Sequence, residues 1–246
     1  DHHNDTLIFA GSLNTSILNI RGMFNANMEF GEIELENGKF LMRTYKGEDT
    51  NSLTVFVDKF DNNDSESTNE FKLTSSSIYL NKVDFVLYDK NKKSEPIVFY
   101  KNIKGFFDNF EVVSSNVKAN IHDLQVYENH DIVVEKFQSD FSYSNTKMEF
   151  FKSELKTKNS FLKADIIFTY KDGELAEFTD KVVIDADIQK ADIALVDLKK
   201  FYSEFGTKDK IHFTTKMKGT INDFVLNNFV LKSDRNSSLK GTIVFK

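Results

Sequence analysis

Apolar and polar residues alternate with a period of two along most of the chain. Ile33 and Leu35 sit between Glu32, Glu34 and Glu36. Ile78 and Leu80 alternate, and Val83, Phe85 and Leu87 resume the pattern after a shift of one residue. Val134, Phe137, Phe141 and Tyr143 form a looser run. Ile166 and Phe168 alternate with Asp165, Ile167 and Thr169, and Ile184, Ala186 and Ile188 interleave with Asp185, Asp187 and Gln189. Successive strand residues point to opposite faces, so this spacing predicts an all-β chain of half-buried strands. A single proline, Pro96, and 25 Phe favour long, regular strands. One segment departs from the pattern. In "DIALVDLKKFYSEFG", Leu195, Leu198, Tyr202 and Phe205 fall at helical spacing, with Asp197 as N-cap and Gly206 just past the end. This predicts a short amphipathic helix over residues 197–205.

A phrase recurs: apolar-x-apolar, a gap containing Asn, then apolar again. It reads Ile33-Leu35-Asn37-Phe40, Ile78-Leu80-Asn81-Val83, Leu124-Val126-Asn129-Ile132 and Phe224-Leu226-Asn228-Val230. Asn tolerates the left-handed conformation, so each Asn suits a sharp bend between two strand halves. The tetrad KGTI occurs at Lys218–Ile221 and again at Lys240–Ile243. Lys118, Ile121, Asp123, Leu124 and Val126 echo Lys218, Ile221, Asp223, Phe224 and Leu226. The expectation is a degenerate β-repeat, with Lys218 and Lys240 outward and Ile221 and Ile243 returning to the apolar pattern. The polar stretches 61–70 and 89–96 read as loops. Neither is long enough to be a linker, so residues 1–246 read as one continuous β-repeat segment.

Composition narrows the function classes. The net charge of -6 comes from interspersed acidic and basic residues, which disfavours nucleic acid as a partner. Zero Cys excludes disulfides, Cys-ligated zinc and thiol catalysis. No apolar run reaches the roughly 18 residues of a membrane-spanning helix. The start, "DHHNDTLIFAG", lacks the features of a signal peptide, and the chain reads as an internal piece of something longer.

Motifs for chemistry are missing. Asp61, Asn63 and Ser65 imitate a calcium loop, but Glu66 and Lys72 stand where the EF-hand needs Gly and a bidentate Glu. The five His (His2, His3, His122, His130 and His212) include no HExxH spacing, so no metal is assigned. Ser12 follows Gly11 without a GxSxG elbow, and no phosphate-cradling glycine motif occurs. No catalytic residue and no cofactor is assigned, and the chain does not read as an enzyme.

Alternating strands have an apolar side that must be covered. Two sheets pack as a sandwich, a sheet closes into a barrel, or the apolar side stays open and holds something apolar. Periodicity alone favours a closed core. An outer-membrane barrel fits poorly, because Trp is absent and the chain ends in Lys246.

Three phrases bear on the choice. Ser160-Phe161-Leu162-Lys163-Ala164-Asp165 recurs as Ser238-Leu239-Lys240-Gly241-Thr242. Ala194–Phe205 contains Asp197-Leu198-Lys199-Lys200-Phe201. Gly219-Thr220-Ile221-Asn222-Asp223-Phe224 leads into the Asn-bend phrase. With "DTLIFAGSLNTSILNI" at 5–20 and "RTYKGEDTNSL" at 43–53, these resemble the TamB-type (translocation and assembly module) proteins of the AsmA-like, bridge-like lipid transfer group. The likeness is to the divergent form of Bacteroidetes-type bacteria.

That resemblance implies an elongated antiparallel sheet curved into a U-shaped, taco-like hydrophobic trough, polar outside and apolar within. It implies a periplasmic bridge that shields phospholipid acyl chains on their way to the outer membrane, with a role in outer-membrane biogenesis and protein assembly. The partners implied are phospholipid, an outer-membrane barrel of the TamA/BamA type at one missing end, and the inner membrane through an anchor at the other. The residues expected to line the trough are Ile33, Leu35, Ile78, Leu80, Phe85, Leu87, Ile166, Phe168, Ile184, Ile188, Phe224 and Leu226. Their facing is inferred from alternation, and a slip of one residue would reverse it. The alternative is a closed β-sandwich repeat domain of an adhesin-like surface protein, in which the same residues are ordinary core.

Overall fold

The computed structural model describes residues 1–22, 27–58, 71–127, 132–171, 174–235 and 237–246. The fold is all-β, built of curved, open sheet with a few short helices. Two units divide the chain. The first comprises Asp1–Ala119 with Leu124–Asn129, and the second Asn120–Asp123 with His130–Lys246.

In the first unit the strands are β1 (Ile8–Phe9), β2 (Ser12–Ile17), β3 (Asn27–Glu36), β4 (Lys39–Thr44), β5 (Lys72–Asp89), β6 (Val98–Val113) and most of β7 (Asn116–Tyr127), whose Asn120–Asp123 count with the second. β1 pairs with β4 and β2 with β3, both antiparallel. β3 and β4 then lie consecutively along the one long strand β5. β1–β2 and β3–β4 are therefore two long strands, each interrupted once. The β3–β4 interruption falls at Asn37, which has φ 51°. Gly38 beside it is buried, and a Cβ there would sit 3.0 Å from the Leu35 side chain.

The expected all-antiparallel sheet is corrected here, because β3 and β4 both run parallel to β5. Parallel neighbours need a crossover of a dozen or more residues. The chain between β4 and β5 is long enough to supply it, and its described part includes helix α1 (Ser52–Asp58). Alternation within a strand carries no information about its neighbour's direction, so the sequence pattern could not reveal this.

The second unit is antiparallel throughout its described pairings. β8 (Val133–Ser144), β9 (Lys147–Thr157), β10 (Phe161–Thr169), β11 (Val183–Ala194), β12 (Lys210–Gly219), β13 (Phe224–Ser233) and β14 (Ser238–Phe245) pair in chain order. Helix α2 (Phe178–Lys181) lies in the β10–β11 connection and α3 (Leu195–Leu198) in the β11–β12 connection.

The strands of this unit alternate in kind. Between shared pairing positions, β9 advances three residues, Ser153 to Phe150, while β10 advances two. The same excess of one residue appears in β11, between Ile188 and Ala191, and in β13, between Leu226 and Phe229. β8, β10, β12 and β14 keep strict alternation through the same level. An extra residue in one strand of a pair bends and twists the sheet locally. With every second strand bulged at one level, the bulges line up as a transverse crease. Lys152 in β9 and Asn228 in β13 take up the excess with φ 52° each.

Of the four expected Asn bends, Asn37 and Asn228 are left-handed. Asn81 is not, its role being taken by Lys82 at φ 56°, and Asn129 lies outside the described residues. The two KGTI copies are not equivalent. Gly219 ends β12, whereas Gly241 sits within β14 opposite the β13 bulge. Ile243 pairs with Leu226, but Ile221 is an exposed residue of the turn before β13, and Ile121 is buried within β7. The echo across 100 residues is therefore not a structural repeat.

The expected helix over 197–205 is a single turn at Leu195–Leu198, followed by turns that leave Phe201, Tyr202 and Phe205 exposed. Asp197 is no N-cap, because it lies inside the turn with its carboxylate directed inward. A helix of nine residues needs a packed face to hold it, and the exposed rings show that none is provided here.

These bends make a stability prediction. A left-handed conformation costs a non-Gly residue about 1–2 kcal/mol, least for Asn and most for β-branched residues. Thermal unfolding should show Asn228→Gly as stable as the parent or more so, and Asn228→Val about 1–2 kcal/mol less stable.

Candidate functional site: an apolar sheet face

Directly paired residues share a face, so the registers trace rows across the second unit. One row is Phe141, Phe150, Ile166, Ala186, Met217, Leu226 and Ile243. The next is Tyr143, Met148, Phe168, Ile184, Gly219, Phe224 and Phe245. Beyond the crease lies a third: Phe137, Leu155, Leu162, Ala191, Phe213, Leu231 and Leu239. Unbroken alternation in β10 places Leu162, Ala164, Ile166 and Phe168 on the same side, so all three rows belong to one face. Seven strands about 4.8 Å apart give this face a run of roughly 29 Å.

The opposite face is polar along most of its length. Its rows include Ser142, Glu149, Ile167, Asp185 and Lys218, and also Gln138, Glu154, Lys163 and Lys190. Lys216 pairs with Asp187 at 3.2 Å and Lys163 with Glu154 at 2.9 Å. Such exposed pairs add little stability, and their effect is to keep this side wetted.

The crease is lined by small residues: Ser139, Ser153, Ala164 and Thr215, all buried. The hydroxyls of Ser139 and Thr215 satisfy backbone groups that the bulges release. Ser139 Oγ donates to the Phe151 carbonyl at 3.1 Å, and Thr215 Oγ1 to the Asn227 carbonyl at 3.0 Å. Each of these carbonyls belongs to the residue just before a left-handed one, Lys152 or Asn228. On the outer side, the Lys152 N–H donates to Asp165 Oδ1 at 2.6 Å, and Gln189 Nε2 to Asp165 Oδ2 at 2.9 Å.

Aromatic contacts show which way the crease closes. Phe137 and Phe141 are four strand positions apart, about 13 Å along a flat strand. Yet Phe137 meets Phe150, the partner of Phe141, with ring centroids 6.1 Å apart. The apolar face is thus on the inside of the bend. At one rim Phe178 of α2 touches Phe168 at 5.4 Å.

The other rim, at α3, carries a buried carboxylate. Asp197 accepts from Thr157 Oγ1 at 2.8 Å and Ser160 Oγ at 2.7 Å on one oxygen, and from Asn159 Nδ2 at 3.0 Å on the other. Burial pushes its pKa up, but these three hydrogen bonds outweigh burial, and the net shift is below the ordinary 3.8. This group ties the β9–β10 hairpin to α3 and is structural.

In the first unit, rows run Leu13–Leu35–Leu80–Gly105 and Thr15–Ile33–Ile78–Phe107. Below the bend come Ile8–Phe40–Phe85–Tyr100 and Met42–Leu87–Val98. Phe85 stacks on Phe40 at 5.8 Å and on Tyr100 at 6.2 Å. The extra residue at Lys82 keeps Leu80, Val83 and Phe85 on one side, and β6 matches it one step later at Asn102, with φ 52°. The Asn102 N–H donates to Asp84 Oδ1 at 3.0 Å, as Lys152 does to Asp165. The two faces are divided less sharply than in the second unit. The opposite side carries Glu34–Tyr79–Phe106 and Leu41–Val86–Phe99, with Val86 buried.

The structure therefore places Ile33, Leu35, Ile78, Leu80, Phe85 and Leu87 on one face of the first unit. It places Ile166, Phe168, Ile184, Ile188, Phe224 and Leu226 on one face of the second. Ile184 is buried, and the other eleven are part-exposed. Missing from the expected lining are Phe150, Leu155 and Leu231, in strands whose alternation the bulges break, and Phe137 and Phe213, whose strands alternate regularly but place Ser139 and Thr215 among the apolar positions. The crease residues Ser139 and Thr215 are also absent from it, because a polar side chain gives no sign in the sequence that it is buried. Comparison of the chain with protein-family models, curated proteins and solved structures found no match in any of the three.

Two predictions follow from the hydrogen bonds. Thr215→Val preserves shape but leaves the Asn227 carbonyl without its donor, and chemical denaturation should show a loss of about 1–2 kcal/mol. For Asp197, a lowered folded-state pKa means its stabilisation is present above the ordinary 3.8 and is lost as pH falls through the folded value. Asp197→Asn presents an amide to three donors and should cost about 2–3 kcal/mol at pH 7. The gap between its melting temperature and that of the parent should narrow as pH drops below 3.8.

Proposed function

We propose that the chain shields phospholipid acyl chains on its apolar face, as a segment of a periplasmic bridge that carries lipid to the outer membrane. The observation that supports this reading is the exposure of the apolar rows. Three rows of large side chains line the inside of a bend, yet most are part-exposed. Among the described residues the largest side chains buried to within 2% of full burial are Val182 and Ser52. In a sandwich the facing layers interdigitate, and rings such as Phe150 and Phe168 would be sealed.

The energetics suit a carrier. Each CH₂ of an acyl chain costs about 0.8 kcal/mol in water, so a 16-carbon chain faces roughly 12 kcal/mol. A continuous apolar lane lowers that barrier at every step and needs no specific pocket. The rows offer many interchangeable contacts, as transport along a surface requires. The polar outer face keeps such a lane in an aqueous compartment. The resemblance to TamB-type proteins supplies the proposed setting, with an outer-membrane barrel and an inner-membrane anchor as partners beyond this segment.

The test uses Phe85→Asp and Phe168→Asp. Both side chains are part-exposed, so a carboxylate there reaches water; the parent is expected to co-purify with phospholipid, and each variant should unfold cooperatively but carry none. Loss of the cooperative transition in both variants would instead identify a closed core, where an unpaired charge is buried at high cost.

A further inference from the structure

The amino-terminal segment and the loop after β4 assemble a side-chain group that the apolar face does not use. His2 Nε2 lies 2.9 Å from one oxygen of Glu48, and His3 Nε2 lies 2.6 Å from the other. The three ligating atoms, one from each residue, all lie within 4.8 Å of one another. Neither adjacency nor a motif foretells this, since Glu48 is 45 residues from His3.

The surroundings hold these groups in place. Tyr45 is buried, stacks on the His3 ring at 3.9 Å and meets His2 edge-on at 5.5 Å. Its hydroxyl lies 2.7 Å from carboxylate oxygens of both Asp1 and Asp5. The other Asp1 oxygen accepts the N–H groups of His3 and Asp5, each at 3.0 Å. Across the site, Asn91 receives the Gly47 N–H at 2.8 Å and donates to the Glu48 carbonyl at 2.8 Å. Among the described residues, His2 Nδ1 is buried without a hydrogen-bond partner. Glu48 and Tyr45 hold the His2 ring, with Nε2 directed at the Glu48 carboxylate.

Two imidazoles and a carboxylate whose ligating atoms lie within 4.8 Å of one another are a donor set that suits zinc, which would leave a fourth position for water. Calcium and magnesium prefer all-oxygen shells, and two imidazole nitrogens disfavour them. We propose that His2, His3 and Glu48 form a binding site for a zinc-class divalent ion. The ion clasps the amino-terminal segment to the loop between β4 and α1. Leu7, which closes that segment, is buried, and its carbonyl accepts the Leu41 N–H at 2.8 Å. The clasp therefore secures the start of the β1–β4 pairing.

Zinc chloride titrated calorimetrically into the full chain, freed of metal by EDTA and dialysed, tests this. The expected result is one equivalent bound, with affinity reduced more than about tenfold in both Glu48→Gln and His3→Asn. The zinc-dependent rise in melting temperature should vanish in the same variants. Calcium should give neither effect. Far-UV circular dichroism in EDTA checks that each variant keeps its strand content. If Glu48→Gln does not fold, the exposed substitution His3→Asn carries the test alone. Absence of zinc uptake, or uptake unchanged in a folded variant, overturns the proposal.

Discussion

A sheet bends locally where one strand of a pair carries an extra residue, and here every second strand of the second unit carries one. The rest of the second unit depends on this. Without the extra residues in β9, β11 and β13, the three apolar rows would spread over a flat surface. With them, Phe137 and Phe150 approach to 6.1 Å across the crease while the polar rows turn outward. The cost is a set of released backbone groups and left-handed residues. Ser139, Thr215 and Asp165 offset it from opposite sides of the sheet. Asp84 does for the Asn102 bulge in the first unit what Asp165 does for Lys152.

Much of this was legible in the chain, in a particular way. Where a strand is straight, as in Leu162, Ala164, Ile166 and Phe168, the face of each residue follows from the period of two. Where a strand is bulged, alternation flips phase. The shift from Leu80 to Val83 announces it because the flanking residues are strongly apolar. The shift from Phe150 to Ser153 does not, since Phe151 is itself apolar and masks the change. The Asn signal for bends is sound physics with incomplete coverage. The left-handed position is also taken by Lys82 and Lys152, for which no propensity argues. The parallel pairing of β3 and β4 with β5 was illegible, because strand direction is set by a connection and leaves no mark within the strands.

Polar residues inside an apolar pattern deserve a different weight in such folds. Ser139 looks like a defect in an otherwise apolar series, and Asp197 like a helix cap. Both are buried and hydrogen-bonded at points where the backbone changes course. The grouping of His2 and His3 with Glu48 was equally invisible, because tertiary contact alone brings them together. The functional reading rests on the incomplete burial of the apolar rows. Large side chains held on the inside of a bend, with water still reaching them, form a surface that costs free energy until something apolar covers it.

The most direct test places a photoreactive benzoylphenylalanine at Phe150, on the apolar row, and in a second protein at the neighbouring Glu149, on the polar side. After irradiation in membranes of a producing cell, mass spectrometry reads the adducts. An open lipid-bearing face predicts phospholipid adducts from position 150 and none from position 149. No lipid adduct at position 150, or equal adducts from both, would contradict it.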